Sequence, residues 1–332
     1  MRAITITTPG DSQVLNMADM PEPALKRDSQ LLVRLKAAGI NPIDTKIRGA
    51  MDRFPVQNPC ILGCDGAGIV EAVGTQVKRF RPGDEVYFCQ PPFNDRQGTY
   101  AELCVVDEAF VAPKPKSLDF AHAAAAPLVL ITAWEALYDR AWLEDAQRVL
   151  IHAGAGGVGH VAIQLARAAG ASVATTVSTP DKAALVAALG ADKVIRYRDE
   201  DVVQAVMAWS EGTGADIVFD TLGDDVFKLS VSCAKLYGQL VTILTPPPDM
   251  DWSEARLRNL SVSQELMLSP TLLEATDAQR LQGNILRQCT RLFDNDELKI
   301  VVAKQFSLEQ AAEAHRFLED EHPAGKLVLT ID

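Results

Sequence analysis

Six consecutive residues, Gly154-Ala155-Gly156-Gly157-Val158-Gly159, carry the most specific chemical signal in this chain of 332 residues. They fit G-x-G-x-x-G, with an apolar strand-like run at 148–152 before them and a helical pattern at 158–169 after them. Glycines allow a tight turn and a close backbone approach. The helix that follows offers unpaired N–H groups and the positive end of its dipole to a pyrophosphate. Gly154, Gly156, Gly157, Val158 and Gly159 are therefore candidate contacts to a dinucleotide. Hydride transfer is the chemistry such a site serves, because the cofactor brings the reactive group and the protein positions it. The second expected strand ends in Ser178-Thr179-Pro180-Asp181-Lys182, where an NAD-selective site holds an acid, about 20 residues past the glycines, for the ribose 2′-hydroxyl. Asp181 lies just inside a helix cap at Thr179, where an acid satisfies the helix end. The hydroxyl of Ser178 and the cation of Lys182 suit a 2′-phosphate, so the reading favours NADPH over NADH. A solvated helix lysine is the alternative for Lys182.

Other chemistries find less support. Catalytic zinc needs three protein ligands and structural zinc four. Cys60 and Cys64 form the only close cysteine pair, and His122, His152, His160, His315 and His322 are isolated from one another, with no H-E-x-x-H. No metal site is expected. The motifs of a G-x-S-x-G hydrolase and of a phosphate-cradling G-x-x-x-x-G-K-[ST] loop are both missing. A net charge of −12 disfavours nucleic acid and anionic membranes, both of which attract clustered Lys and Arg. The six cysteines, at 60, 64, 89, 104, 233 and 289, are too scattered for a disulfide framework. Reduced thiols and a cytoplasmic location are expected. The nearest thing to a membrane span, 121–132, is short and interrupted by Pro127.

These side chains need a scaffold, and its elements can be read in turn. Residues 1 to 115 read as short strands at 31–36, 68–73, 84–88 and 100–106, with glycine and proline turns between several of them. From Ala121 the pattern becomes helical and then alternates. Strands are expected at 148–152, 172–177, 193–197, 216–220, 239–244 and 261–268. Helices are expected at 158–169, at 180–189 between the Thr179 cap and Gly190, at 201–209 and at 225–236. That alternation is the signature of a parallel sheet covered by helices, and six strands is the full dinucleotide-binding count. The tail adds a helix at 278–293, a strand at 300–306, a helix at 308–319 and a strand at 326–331, the last expected to rejoin the first domain. The fold class is α/β, a mostly-β domain plus a doubly wound parallel-sheet domain.

Several segments together resemble the medium-chain dehydrogenase/reductases, and within them the zinc-independent quinone oxidoreductases, the zeta-crystallin-like group. They are AAGINPIDT at 37–45, LGCDGAG at 62–68, GTYAE at 98–102, ITAW at 131–134, HAGAGGVG at 152–159 and GKLVL at 325–329, in order over nearly the whole chain. The resemblance implies a GroES-like catalytic domain from 1–121 and 291–332, a Rossmann domain from 122–290, and a homodimer joined through the Rossmann sheets. Zinc-dependent relatives carry a Cys where this chain has Asn41 and a His where it has Cys64, and their four-cysteine lobe is missing between Cys89 and Cys104.

Carried over by position, Asn41 and Thr132 line the nicotinamide and substrate, with Asn41 donating to a substrate carbonyl oxygen. Ser178, Lys182 and Tyr197 surround the adenosine phosphate. Thr221, Leu244, Thr245 and residues 266–268 pass along the cofactor, and Lys326 closes that groove. Plainer roles stay open: Asn41 as a turn residue ahead of Pro42, Thr132 in helix packing, Asp44 as a cap of the helix after it. One departure matters, because bacterial members often place tyrosines shortly after the Asn motif, where this chain has Lys46 and Asp52-Arg53-Phe54. No side-chain proton donor is evident. The expected activity is NADPH-dependent reduction of a quinone or an α,β-unsaturated carbonyl. A zinc-dependent alcohol dehydrogenase and a dinucleotide-binding protein without turnover are the alternatives.

Overall fold

Alternating apolar and polar residues at the start of the chain form β1 (Arg2–Ile6), which pairs antiparallel with β2 (Asn16–Asp19). The longest strand follows: β3 (Gln30–Ile40) buries Leu31, Val33, Leu35 and Ala37 fully and leaves the residues between them half-buried. Helix α1 (Pro42–Gly49) starts on a proline, whose missing N–H costs nothing there. Then come β4 (Cys60–Ile61), β5 (Asp65–Val73), β6 (Glu85–Cys89), β7 (Leu103–Asp107), β8 (Val111–Pro113) and helices α2 (Phe120–Ala125) and α3 (Pro127–Trp134). A strict alternation follows: β9 (Arg148–Ile151), α4 (Gly157–Ala168), β10 (Ser172–Val177), α5 (Pro180–Ala188), β11 (Lys193–Arg196), α6 (Val202–Trp209), β12 (Ala215–Asp220), α7 (Asp224–Cys233) and β13 (Ala234–Thr242). The chain ends through α8 (Ser253–Leu257), β14 (Ser261–Gln264), α9 (Ser269–Leu272), α10 (Thr276–Asp294), β15 (Val302–Ser307), α11 (Ala311–Glu321) and β16 (Lys326–Thr330).

This computed structural model describes residues 1–332, which divide into two units. The first joins Met1–Leu128 to Leu268–Asp296 and Ile300–Asp332, and the second holds Val129–Met267 with Glu297–Lys299. In the first unit a mixed sheet runs β15-β16-β3-β5-β6-β8, with β7 also paired to β3, so both ends of the chain build it. Strand β3 is central. Its last residues pair with β16 on one side (Leu327 opposite Ile40) and with β5 on the other (Asp65 opposite Gly39).

The second unit is a six-stranded, wholly parallel sheet in the order β11-β10-β9-β12-β13-β14. The chain runs outward from β9 to one edge and then from β12 to the other. Ligands of such sheets bind at the carboxyl ends of the strands beside that reversal. Leu150, Ala174, Ile195, Val218, Phe227 and Leu240 form a fully buried core in this unit.

Three sequence expectations need correction. The helix expected at 225–236 ends at Cys233, and β13 begins at Ala234 rather than 239. The sixth strand stops at Gln264 rather than continuing to 268. The helix expected at 278–293 was placed in the dinucleotide domain by the 122–290 boundary, yet α10 belongs to the first unit. Tyr87 Oη donates to Leu286 O at 2.6 Å and Arg287 Nη1 to Val111 O at 3.0 Å, and Gly283 brings the helix backbone against the Ala109 carbonyl with no room for a Cβ. An amphipathic pattern says that a helix buries one face, not what it buries it against. No helix is long and apolar enough to cross a membrane.

Candidate active site

Asn41 sits where β3 hands over to α1 and is only 1% exposed. Its backbone N–H donates to Asp44 Oδ2 at 2.8 Å, so Asp44 does cap the start of α1. The side chain is held from both flanks. Asn41 Nδ2 donates to Asp65 Oδ2 at 2.9 Å, and the Lys326 ammonium donates to Asn41 Oδ1 and, at 2.9 Å, to Ile40 O. Lys326 and Asp65 form a buried ion pair at 3.6 Å. Asp65 Oδ1 also accepts from Leu128 N at 2.8 Å. Burial raises the Asp65 carboxyl and lowers the Lys326 ammonium, and the charge of each pulls the other back. Gly39 makes the arrangement possible, since a Cβ there would meet Ala124 O and Asp65 Cβ.

A second chain of bonds runs from Asp44 to the surface. Arg48 Nη2 donates to the part-exposed Glu319 at 2.7 Å, and Arg48 Nη1 lies 3.2 Å from His315 Nδ1. Arginine can only donate. His315 Nδ1 is thus the acceptor, Nε2 carries the hydrogen and donates to Tyr100 Oη at 3.0 Å, and Tyr100 Oη donates to Asp44 Oδ2 at 3.3 Å. From Arg48 Nη1 through His315 and Tyr100, each donor points toward Asp44. Burial pushes the Asp44 carboxyl up to about 7, against the pull of the Asn41 N–H. His315 is lowered to about 3 by burial and then by the Arg48 charge, so the ring is neutral.

In the parallel-sheet unit the glycine loop joins β9 to α4. Gly156 is the N-cap of α4 and supplies no side-chain cap, whereas Thr179 caps α5 and Asp201 caps α6. The first-turn N–H groups of α4, including those of Gly157 and Val158, are thus open to an anion. Gly154 and Gly159 are sterically required: a Cβ would collide with Thr175 Oγ1 at the first and with Ala153 O and the Gly154 backbone at the second. At Gly156 a Cβ would meet only Ala153 O, at 3.1 Å, so that side of the loop is open. The cradle fits a dinucleotide pyrophosphate.

Ser178 directly follows β10, Thr221 follows β12 with its hydroxyl on His152 O at 2.9 Å, and Leu244 and Thr245 follow β13. All lie at carboxyl ends of strands. Lys182 stands in the first turn of α5, Tyr197 just past β11 and 48% exposed, and Thr132 is buried within α3. Lys326 is 4% exposed, and its ammonium donates to Ile40 O and Asn41 Oδ1 and pairs with Asp65. Asp65, Tyr100, Arg48 and His315 had no reading of their own as site residues, and no local spacing flags them.

Zinc is the group that dehydrogenases of this architecture would bring to Asn41 and Cys64, and the donors present do not fit it. The Lys326 ammonium already occupies the Asn41 and Asp65 oxygens. Burial holds the Cys64 thiol well above its usual range, and it donates to Asp44 at 3.4 Å. No three His, Cys, Asp or Glu side chains gather to hold a metal.

Comparison with known proteins agrees with this architecture. Residues 27–116 match the alcohol dehydrogenase GroES-like domain and residues 189–329 the zinc-binding dehydrogenase family model. The chain belongs to the medium-chain dehydrogenase/reductase family and is an oxidoreductase of its quinone oxidoreductase group. A quinone oxidoreductase of Pseudomonas aeruginosa is 33% identical over 322 residues, 96% of each chain. Among solved structures, an alcohol dehydrogenase superfamily protein from Novosphingobium aromaticivorans shares 33% identity with a TM-score of 0.92, over 100% of both chains. The Escherichia coli quinone oxidoreductase complexed with NADPH shares 29% identity with a TM-score of 0.86, also over 100% of both.

Proposed function

We propose that this protein is an NADPH-dependent oxidoreductase that passes a hydride to a quinone or an α,β-unsaturated carbonyl without zinc. The observation that carries the proposal is the Asn41 cluster, where an amide at a position the resemblance gives to a zinc ligand is clamped between a buried ammonium and a buried carboxylate. A bound nicotinamide supplies the hydride. As hydride reaches the β-carbon of the acceptor, negative charge grows on the carbonyl oxygen. Asn41 Nδ2 has two hydrogens, one spent on Asp65, and the second is the donor proposed for that oxygen. Tyr100 has committed its hydrogen to Asp44, so the proton that completes the enol or hydroquinone is assigned to water.

For the cofactor, the uncapped α4 terminus with Gly154, Gly156, Gly157, Val158 and Gly159 takes the pyrophosphate. Ser178, Lys182 and Tyr197 are proposed around the 2′-phosphate, Thr221, Leu244 and Thr245 along the dinucleotide, and Thr132 beside the nicotinamide. The NADPH in the Escherichia coli relative supports the choice of cofactor. A homodimer through the outer edge of β14, the last strand of its sheet, is also proposed. A cytoplasmic setting fits six unpaired cysteines.

The test is NADPH consumption against a panel of quinones and enones, with elemental analysis of the same preparation. Turnover by zinc-free protein is expected. Silence across the panel with NADPH binding intact overturns the substrate class, and activity that tracks zinc content favours an alcohol dehydrogenase. Light scattering that gives the mass of one chain overturns the dimer.

A further inference from the structure

We propose that Lys326, together with Asp65, is a positioning residue for the reduction: it sets which way the Asn41 amide faces and turns its free N–H into a stronger donor. The inference rests on the proposed role of Asn41 as the donor to the substrate oxygen. An ammonium can only donate and a carboxylate accepts, so the pair leaves the amide a single arrangement, Oδ1 on Lys326 and Nδ2 on Asp65. Neither neighbour can swing away. Lys326 is also anchored on Ile40 O, and Asp65 on Leu128 N.

The register explains the placement. Leu327 faces Ile40, which sets Lys326 at the level of Asn41 on one side of β3, and Asp65 faces Gly39 on the other. All three side chains are buried, so water does not compete for their bonds. A cation on an amide oxygen also draws electron density from the nitrogen, and hydrogen bonds in such a chain strengthen one another. Lys326 thus acts on the substrate through Asn41, without touching it.

The experiment compares full-length Asn41→Ala, Lys326→Met and the double variant, using a quinone the wild type reduces, with kcat, KM and NADPH affinity measured for each. Asn41→Ala should lower kcat by about 100-fold, the scale of a lost transition-state donor. Lys326→Met should lower kcat at least about tenfold with NADPH affinity unchanged, and the double should be no slower than Asn41→Ala, because residues acting as one unit are not additive. Lys326→Arg should recover part of the rate. Independent losses that multiply in the double overturn the inference, since a structural role predicts them. A fast Lys326→Met beside a slow Asn41→Ala overturns the inference alone. A fast Asn41→Ala overturns the Asn41 reading and this inference with it, as does a wild type silent on every quinone. If Lys326→Met does not fold, Asp65→Ser takes its place: the same loss and the same non-additivity are expected, and multiplied losses overturn the inference.

Discussion

Asp44 and His315 share one hydrogen-bonded chain yet pull the stability in opposite directions as pH changes. Asp44 is raised from 3.8 to about 7 in the folded protein, so its contribution is fully present below pH 3.8 and is lost as pH rises through 7. His315 is lowered from 6.5 to about 3, so its contribution is present above pH 6.5 and is lost as pH falls toward 3. Denaturant titrations between pH 4 and 7 should therefore separate two variants. Asp44→Asn should lose less stability than wild type as pH rises, and His315→Gln less as pH falls, each by roughly 3 kcal/mol over the range. Profiles parallel to wild type in both would remove Asp44 and His315 as titrating groups. At this scale the sequence is informative about Asn41 and does not connect it to Lys326. The reason is distance along the chain: Lys326 is 285 residues from Asn41 and His315 is 267 from Arg48, so no spacing rule connects them.

The glycine loop was legible because its chemistry is local: strand, turn and helix N-terminus are contiguous. The structure separates its glycines by task, which gives a prediction. Gly156→Ala should keep the melting temperature near wild type and weaken NADPH binding at least about tenfold, because its Cβ points into the open side of the cradle. Gly159→Ala should lower the melting temperature as well, since the added carbon strikes the Ala153 carbonyl. Equal melting temperatures for both would contradict that division. Gly39→Ala tests the other site. The new methyl would press on Ala124 O and Asp65, so about 1–3 kcal/mol of stability should be lost together with kcat, read by denaturation and turnover on one preparation. A variant as stable and fast as wild type would mean β3 and α2 have slack there. Helix α10 was legible as a helix and not by its neighbours, because one apolar stripe matches β8 as well as it matches any other apolar surface.

At the scale of the whole molecule, the last strand is a structural member of the first unit. β16 lies between β15 and β3, and Leu327, Val328 and Leu329 are buried. A chain ending at residue 325 should lose cooperative unfolding of that unit by circular dichroism and calorimetry, and a truncated protein with wild-type unfolding would contradict this placement. By itself, the sequence determined what depends on neighbours along the chain. It specified the α/β alternation, the cap at Thr179 and the glycine loop. Only the tertiary structure decided what depends on strands brought together from opposite ends. Pairing β16 and β5 on the two sides of β3 puts an ammonium and a carboxylate against one amide. Register, rather than periodicity, makes that contact, and register is set when the sheet closes.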